Sequence, residues 1–380
     1  MHLCGCVVFF VLSISVAQSF VMPSAKRDLS KARSKSPRSP RAKSPAAPRS
    51  RSRSAPLKMS TRSSVEASTA GGKKKSSGSG LKRFSIVLIF SLILSQALSF
   101  LASGSKSAFT YLRTSSIAII GAQLLVWLHA SGVVFGNTPT EHYYDLIGSV
   151  TNVSAIAASI YFNGGWARLS QRQKALSAFV IIWATRLGIF LFSRVKVAGK
   201  DSRFDEMKKV PLAFAVAWVL QGLWVFITAL PVTSLNALGG SGTSLGTQDY
   251  IGLSLWVIGF GFELLADHQK TQFKAVKGNK GKFINTGLWA ISRHPNYFGE
   301  MLLWFGVYIV ASGGMTSPLQ KFVTFFCPVF VSLLLIFVSG VNLLEKSSDA
   351  RFGTSKGYEE YKTSTPVLIP FVGRAGDASF

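Results

Sequence analysis

The chain has 380 residues, 48% of them hydrophobic, and carries 42 Lys and Arg residues against 16 Asp and Glu. Residues 1–83 hold 18 of these basic residues and 2 of the acidic ones, and so +16 of the formal net charge of +26. The remainder is apolar with few charges, which excludes an ordinary soluble domain and indicates a membrane protein behind a basic leader. Of three cysteines, only Cys327 lies outside this leader, which excludes a disulfide framework or a Cys-based zinc site beyond it.

The leader has two parts. Residues 1–19 contain the apolar stretch VVFFVLSISV followed by small residues, which is typical of a signal peptide and too short to span a membrane. Residues 20–82 are rich in Ser, Pro, Lys and Arg, and this composition predicts a disordered, transit-like segment. Together they resemble the presequences of algae with complex plastids and predict a plastid membrane, with the ER or endomembrane system as the alternative. The arginine–serine repeats could bind RNA, but the apolar stretch argues against a nucleic-acid partner.

Residues 83–380 are predicted to form an all-α, polytopic transmembrane bundle of about seven to eight spans. Apolar runs predict helices at 84–102, 114–135, 143–162, 175–193, 210–230, 249–267, 296–312 and 322–344. The basic loops 194–209 and 268–295 are two spans apart, so both should lie on one face, which the positive-inside rule assigns to the cytosol or stroma. Arg168, Arg172 and Lys174 contradict this pattern, because the same count puts them on the opposite face.

The first stretch of residues that could take part in chemistry begins inside the sixth predicted span and continues into the basic loop after it. Glu263, Asp267, Lys270 and Lys274 recur at intervals of four, three and four residues and so share one face of a helix. A carboxylate at Glu263 is expected to face the bundle interior, because hydrocarbon disfavours charge. For this residue taken alone, an interhelical hydrogen bond that ties the bundle together is the favoured explanation. No Walker loop, GxGxxG, HExxH or CxxC motif occurs where it could act, so no metal site is predicted.

A second polar stretch precedes the next span. Pro295 suits the first turn of a helix, which leaves Arg293 at a helix N-terminus where backbone N–H groups favour an anion such as phosphate. Asn296 and Glu300 are one turn apart on that helix, with Tyr297 beside them. A helix cap alone does not explain this combination of polar residues.

The C-terminal tail supplies a third stretch, with Arg351, Tyr358 and Tyr361. The two tyrosines could stack on an adenine, or they could anchor an interfacial helix.

The segments ELLADHQKTQF, GLWAISRHPNYFGE and LLEKSSDARFGTSKGYEEYKTSTPVLIP resemble the steroid 5-alpha-reductase-like superfamily, and more closely its DUF1295 branch. The resemblance implies a helical bundle whose half at 249–372 holds a nicotinamide cofactor, NADPH. It implies the following roles: Asp267 contacts the cofactor, Arg293 and Arg351 bind phosphates, Asn296 and Glu300 position the nicotinamide, and Tyr358 and Tyr361 close the pocket.

The resulting hypothesis is a membrane reductase that uses NADPH on a carbon–carbon double bond of a steroid-like or other lipid arriving from the bilayer. Lys270 would join the cationic rim for the phosphates, and Glu300 and Tyr297 are the candidate catalytic residues. One alternative is a methyltransferase using S-adenosylmethionine on a lipid or isoprenylcysteine, because such enzymes share an RHP-x-Y block. They usually carry paired glutamates after the last span, where this chain has Glu345 followed by Lys346. The second alternative is a non-catalytic lipid-binding protein.

Overall fold

The computed structural model describes residues 74–239 and 244–372, so the predicted signal peptide and most of the transit-like segment lie outside the described residues. The described part is helical and contains no β-strand. Its α-helices are α1 Lys74–Ser103, α2 Lys106–Ala130, α3 Tyr144–Phe162, α4 Gln171–Ala198, α5 Pro211–Ala237, α6 Thr247–Ala275, α7 Pro295–Gly313, α8 Pro318–Leu333, α9 Val341–Phe352 and α10 Tyr358–Ser364.

Seven helical segments of the described part are long and apolar enough to cross a membrane. They are α1 to α6 and the segment from Pro318 to Phe352, which comprises α8, a π-helical turn at Leu334–Val338 and α9. The prediction of an all-α, multi-span membrane protein is therefore confirmed. The predicted helix at 296–312 corresponds to α7, which is absent from these seven because Asn296 and Glu300 make its first turns polar.

Several predicted helix boundaries differ from the structure, and three of the differences have a physical reason. Residues 74–82, which composition predicts to be disordered, form the first turns of α1, because a long apolar helix propagates into its flanking residues. The second helix begins at Lys106 rather than 114, since the Ser105 side chain accepts a hydrogen bond from the backbone N–H of Ala108. The last predicted span is interrupted at Gly340, where a Cβ atom would lie 2.9 Å from the Tyr297 ring.

The core of the bundle surrounds α5, the most deeply buried helix of the described part. Buried indoles of Trp183 and Trp304 meet edge to face at 4.8 Å beside it. Polar side chains link the same helices: Asn152 donates to Thr228 Oγ1 at 3.1 Å, and Asn236 donates to Ser159 Oγ at 2.8 Å. Such interhelical hydrogen bonds and close van der Waals packing stabilise helices in lipid, where apolar burial alone provides little drive.

Two pairs of glycines bring α6 and α7 unusually close. Gly259 faces Gly299, and a Cβ atom on Gly259 would lie 2.6 Å from both the Gly299 carbonyl oxygen and the Leu303 nitrogen. Two helical turns toward the start of α6, Gly252 faces Gly306 of α7 in the same way. Small residues at these crossings allow backbone contact. The contact fixes the polar end of α6 beside the polar start of α7.

The predicted basic segments 194–209 and 268–295 lie on one face of the bundle, because Arg194, near the end of α4, lies close to Lys270 and Lys274 of α6. The tail packs on the same face, where Tyr361 donates to the carbonyl of Trp289 in the loop before α7. Of the basic residues that the count of spans puts on the opposite face, Arg172 is explained by the structure. Arg172 forms a buried two-point ion pair with Asp249, with both N–O distances at 2.6 Å, so it is neutralised inside the bundle.

Candidate functional site

The centre of the candidate site is a guanidinium group that contacts two carboxylates. Arg186 of α4 donates from Nη1 to Glu263 Oε1 and from Nη2 to Asp267 Oδ2, each at 2.5 Å. Asn296 of α7 completes the group, because its Nδ2 donates to Asp267 Oδ1 at 3.2 Å. Three helices therefore meet at one buried polar cluster, and the predicted common face of Glu263 and Asp267 is the face that carries it.

Glu300 adds a third carboxylate to this cluster. It lies one turn after Asn296 and close enough to Glu263 and Asp267 to interact with both electrostatically. The indole N–H of Trp304, one turn further along α7, is buried without a hydrogen-bond partner. Glu263 Oε2 is also buried without a hydrogen-bond partner. The cluster therefore holds more acceptors than donors, which suits a ligand that brings N–H or O–H groups.

The start of α7 is held by Glu345 of α9. Arg293 Nη1 lies 2.6 Å from Glu345 Oε2, and His294 Nε2 lies 2.7 Å from Glu345 Oε1. Burial lowers the pKa of His294, and Glu345 offsets only part of that effect. Arg293 Nε and His294 Nδ1 are buried without hydrogen-bond partners. Arg293, predicted to bind a phosphate, is thus paired with a carboxylate but retains an unused donor.

The tail folds back over this helix start. The backbone N–H of Arg293 donates to the carbonyl of Pro366 at 2.9 Å, and Ser292 Oγ donates to the carbonyl of Leu368 at 2.7 Å. Tyr358 donates to Asp349 at 3.1 Å, and the Tyr361 ring stacks on Phe283 with centroids 5.3 Å apart. Burial raises the pKa of Tyr358 to about 12 and also raises that of Tyr361, so both remain neutral.

A cationic cluster lies at the rim of the site. It consists of Arg194, Lys270, Lys274 and Arg351, which are close enough to repel one another. Lys270 lies over the Trp289 indole, with Nζ 4.1 Å from the ring centroid, and Arg351 lies over Phe352. Within residues 74–239 and 244–372, none of the four has a carboxylate within 4.0 Å. Asp267 interacts electrostatically with Lys270, and the cluster as a whole keeps an excess of positive charge that attracts a multivalent anion.

The structure brings most of the predicted site residues into one region. Asp267 contacts Arg186, Asn296 contacts Asp267, and Glu300 interacts electrostatically with both Asp267 and Arg186. Tyr297 stacks on His294 with ring centroids 5.7 Å apart. The remaining predicted residues flank them in the cationic cluster and the tail: Lys270, Arg293, Arg351, Tyr358 and Tyr361. Whether these residues bind a cofactor stays a prediction.

Sequence reasoning did not select Arg186, Arg194 or Glu345. Arg186 had a usable signal, because it is a charged residue inside an otherwise apolar run at 175–193. Glu345 follows the last apolar run, and its role as partner of Arg293 depends on the break at Gly340, which the sequence pattern does not reveal.

A separate open cavity of about 510 Å³ lies on the other side of α6. None of the predicted site residues lines it. Its walls come from the end of α6 and the following loop: His268, Gln269, Gln272, Phe273, Val276, Ile284, Thr286 and Gly287.

The fold and the polar cluster define a polytopic helical membrane protein with a buried charged cluster where α4, α6 and α7 meet. Residues 134–365, more than half of the chain, match the family described as a protein of unknown function, DUF1295. The chain belongs to that family. It is also similar to an uncharacterised protein of Schizosaccharomyces pombe, with 24% identity over 235 residues that cover 54% of this chain and 67% of the relative. No solved structure matches the chain.

Proposed function

We propose that the protein is a membrane-embedded reductase that uses NADPH to reduce a carbon–carbon double bond in a steroid-like or other lipid. The observation that carries this proposal is the arrangement along one face of α6. The cationic cluster around Lys270 and Lys274 lies at the rim, and the carboxylates of Glu263 and Asp267 lie one to two turns deeper.

The rim fits the phosphates of a dinucleotide. Arg194, Lys270, Lys274 and Arg351 have no carboxylate partner in the described ranges, so bound phosphates would relieve their mutual repulsion. The unused Nε of Arg293 adds a donor at the same helix start. NADPH carries three phosphates, including a 2′-phosphate that NADH lacks, and so makes the greater use of such a rim.

The deeper cluster fits the uncharged end of the same cofactor. A nicotinamide carboxamide offers N–H donors, which match the unpartnered Glu263 Oε2 and the carboxyl group of Glu300. Arg186 and Asn296 hold Asp267, and with it the geometry of the cluster. When bound, NADPH would supply the hydride for the β carbon of an activated alkene. Glu300 and Tyr297 would orient the reacting groups.

The lipid substrate is expected to reach the site from the bilayer. Glu300 is only partly buried on a membrane helix, and Leu264 and Leu265 near it on α6 are exposed to the surroundings of the bundle. A polar cofactor at the rim and an apolar substrate from the side would then meet at the start of α7.

S-adenosylmethionine is the competing cofactor, and one observation favours it. Three carboxylates share a single guanidinium in the deep cluster, an excess of negative charge that suits a sulfonium cation. S-adenosylmethionine has no phosphate, however, so it leaves the cationic cluster without a function. Glu345 also gives little support to S-adenosylmethionine, because its carboxylate is already paired with Arg293 and His294. The methyltransferase therefore ranks second, and a non-catalytic lipid-binding protein explains neither cluster.

Lipid profiling of cells that lack the protein tests the proposal. We expect an unsaturated precursor to accumulate and its product with one fewer double bond to disappear. Expression of the wild-type chain should restore the product, and expression of Glu300→Gln should not. Accumulation of an unmethylated lipid would support the methyltransferase instead, and an unchanged profile would favour the non-catalytic protein.

A further inference from the structure

A second feature of the molecule lies on the opposite membrane face, in the hairpin of α1 and α2. This hairpin precedes the residues matched by the DUF1295 family, which begin at 134. A groove of about 330 Å³ runs between the two helices. Its lining consists of Leu92 and Gln96 from α1 and Phe109, Arg113 and Ile117 from α2.

Arg113 is a charged residue inside a membrane-spanning helix. It lies seven residues into α2, so its Cα is roughly 10 Å from the helix start at a rise of about 1.5 Å per residue. A helix of 25 residues exceeds a hydrocarbon core of about 30 Å by only a few ångströms at each end, so Arg113 begins within the hydrocarbon. Its guanidinium has no hydrogen bond, ion pair or aromatic contact among the residues that the structure describes.

The direction of this side chain determines where its charge goes. Helical side chains tilt toward the N-terminus, and a long Arg side chain can carry its charge to the interface while its stem stays in hydrocarbon. We therefore expect Arg113 to extend along the groove toward the turn between α1 and α2. Lys106, seven residues earlier on the same side of α2, adds a second exposed positive charge at that level.

Gln96 supplies the second unmatched group of the groove. Its Nε2 donates to Ser116 Oγ at 2.9 Å, but its Oε1 is buried and accepts no hydrogen bond. A buried acceptor without a donor is rare in folded proteins and points to a missing partner. The groove thus presents one cation and one free acceptor between the apolar side chains of Leu92 and Ile117.

We infer that this groove binds an anionic membrane lipid whose headgroup carries hydroxyl groups. The anionic group pairs with Arg113, a headgroup hydroxyl donates to Gln96 Oε1, and an acyl chain follows Leu92 and Ile117 toward the bilayer centre. The site is remote from the Arg186 cluster and does not depend on the proposed reductase activity.

Competitive lipid retention tests the inference. The full chain is purified in detergent, incubated with equal amounts of phosphatidylglycerol and phosphatidylcholine of matched acyl chains, and reisolated, and the bound lipids are counted by native mass spectrometry. The wild-type chain should retain phosphatidylglycerol preferentially. Arg113→Gln should reduce that preference about tenfold, as expected for the loss of one charge-assisted hydrogen bond, while Arg113→Lys should keep most of it.

Lys174→Gln is the matched control, because Lys174 lies near the same membrane face at the start of α4 but outside the groove. It should leave the preference unchanged. Phosphatidylethanol, which has the same singly charged phosphodiester but lacks the glycerol hydroxyls, should bind less well than phosphatidylglycerol, and Gln96→Leu should abolish that difference. Equal retention of phosphatidylglycerol and phosphatidylcholine by the wild-type chain would overturn the inference. So would an unaltered preference in Arg113→Gln, an equal loss in Lys174→Gln, or a second copy of the chain in place of lipid.

Discussion

Arg186 Nη2 and Asp267 Oδ2 lie 2.5 Å apart and join α4 to α6 at the depth where the candidate site begins. The same guanidinium contacts Glu263, so one cation balances two buried carboxylates, with Glu300 close by. In a low-dielectric interior, removing one member of such a group leaves uncompensated charge. The position of Arg186 therefore controls both the stability of the bundle and the shape of the site.

We expect Arg186→Met to destabilise the protein strongly, by about 3–5 kcal/mol, because Glu263 and Asp267 would be left without a cation. Thermal unfolding in detergent measures the effect. Lys196→Met, an exposed position near the end of the same helix, is the control and should change the unfolding temperature little. Equal unfolding temperatures for Arg186→Met and the control would show that the ion pairs do not stabilise the bundle.

The cationic cluster predicts selective loss of NADPH binding. Replacing Arg194 or Lys274 by Gln should weaken NADPH about fivefold, since one exposed charge interaction contributes about 1 kcal/mol or less. NADH should be affected less, because it lacks the 2′-phosphate. Lys277→Gln serves as control, because Lys277 lies in the turn after α6 and is not a member of the cluster. Titration by isothermal calorimetry at two salt concentrations measures the affinities. If all three substitutions weakened NADPH binding equally, the cluster would attract the cofactor only through nonspecific electrostatics.

Glu300→Gln keeps the size of the side chain and removes its charge. If Glu300 orients the reacting groups, cofactor affinity should stay within about twofold while turnover falls at least about tenfold. The comparison requires NADPH binding and NADPH oxidation with a lipid extract on the same preparation. A normal rate would remove Glu300 from the site, and a parallel loss of binding would make it a cofactor ligand.

The glycine contact between α6 and α7 predicts a steric effect. Gly259→Ala should destabilise the bundle by about 1–3 kcal/mol, because the new Cβ would lie 2.6 Å from two backbone atoms of α7. Gly261→Ala is a matched control two residues away, where no atom lies within 4 Å of the added Cβ. Differential scanning of intrinsic tryptophan fluorescence would compare them. If both variants unfold together, α6 and α7 do not pack as described.

His294 predicts a pH dependence of stability. Burial holds its folded-state pKa below the ordinary value of 6.5; Glu345 opposes this effect, and the positive charges of Lys270 and Arg293 reinforce it. The unfolded chain therefore binds more protons than the folded chain between the two pKa values. The contribution of His294 to the free energy of unfolding should be fully present above pH 6.5. It should decrease as the pH falls from 6.5 to the lower folded-state pKa. The unfolding temperature of wild type, measured from about pH 8 to about pH 5, should drop more than that of His294→Gln; matching curves would contradict the role of this imidazole.

Much of the fold follows from residue patterns because lipid imposes strong rules on them. Apolar length located the spans, and Pro295 at the first position of α7 is confirmed. Spacing of four placed Glu263 and Asp267 on a common face, where both meet Arg186. Spacing within one segment could not identify Arg186 or Glu345 as partners, because such contacts join segments more than 50 residues apart. The interruption at Gly340 was equally hidden, since it follows a π-helical turn at Leu334–Val338 that apolar length does not predict.

The most direct test of the central claim is the thermal stability of the purified full chain with each cofactor. A ligand that binds only the folded state stabilises it by about 2.7 kcal/mol at a hundred times its dissociation constant. We expect NADPH to raise the unfolding temperature, NADH to raise it less and S-adenosylmethionine to leave it unchanged. A rise with S-adenosylmethionine alone, or with none of the three, would contradict the assignment of a nicotinamide cofactor to this site.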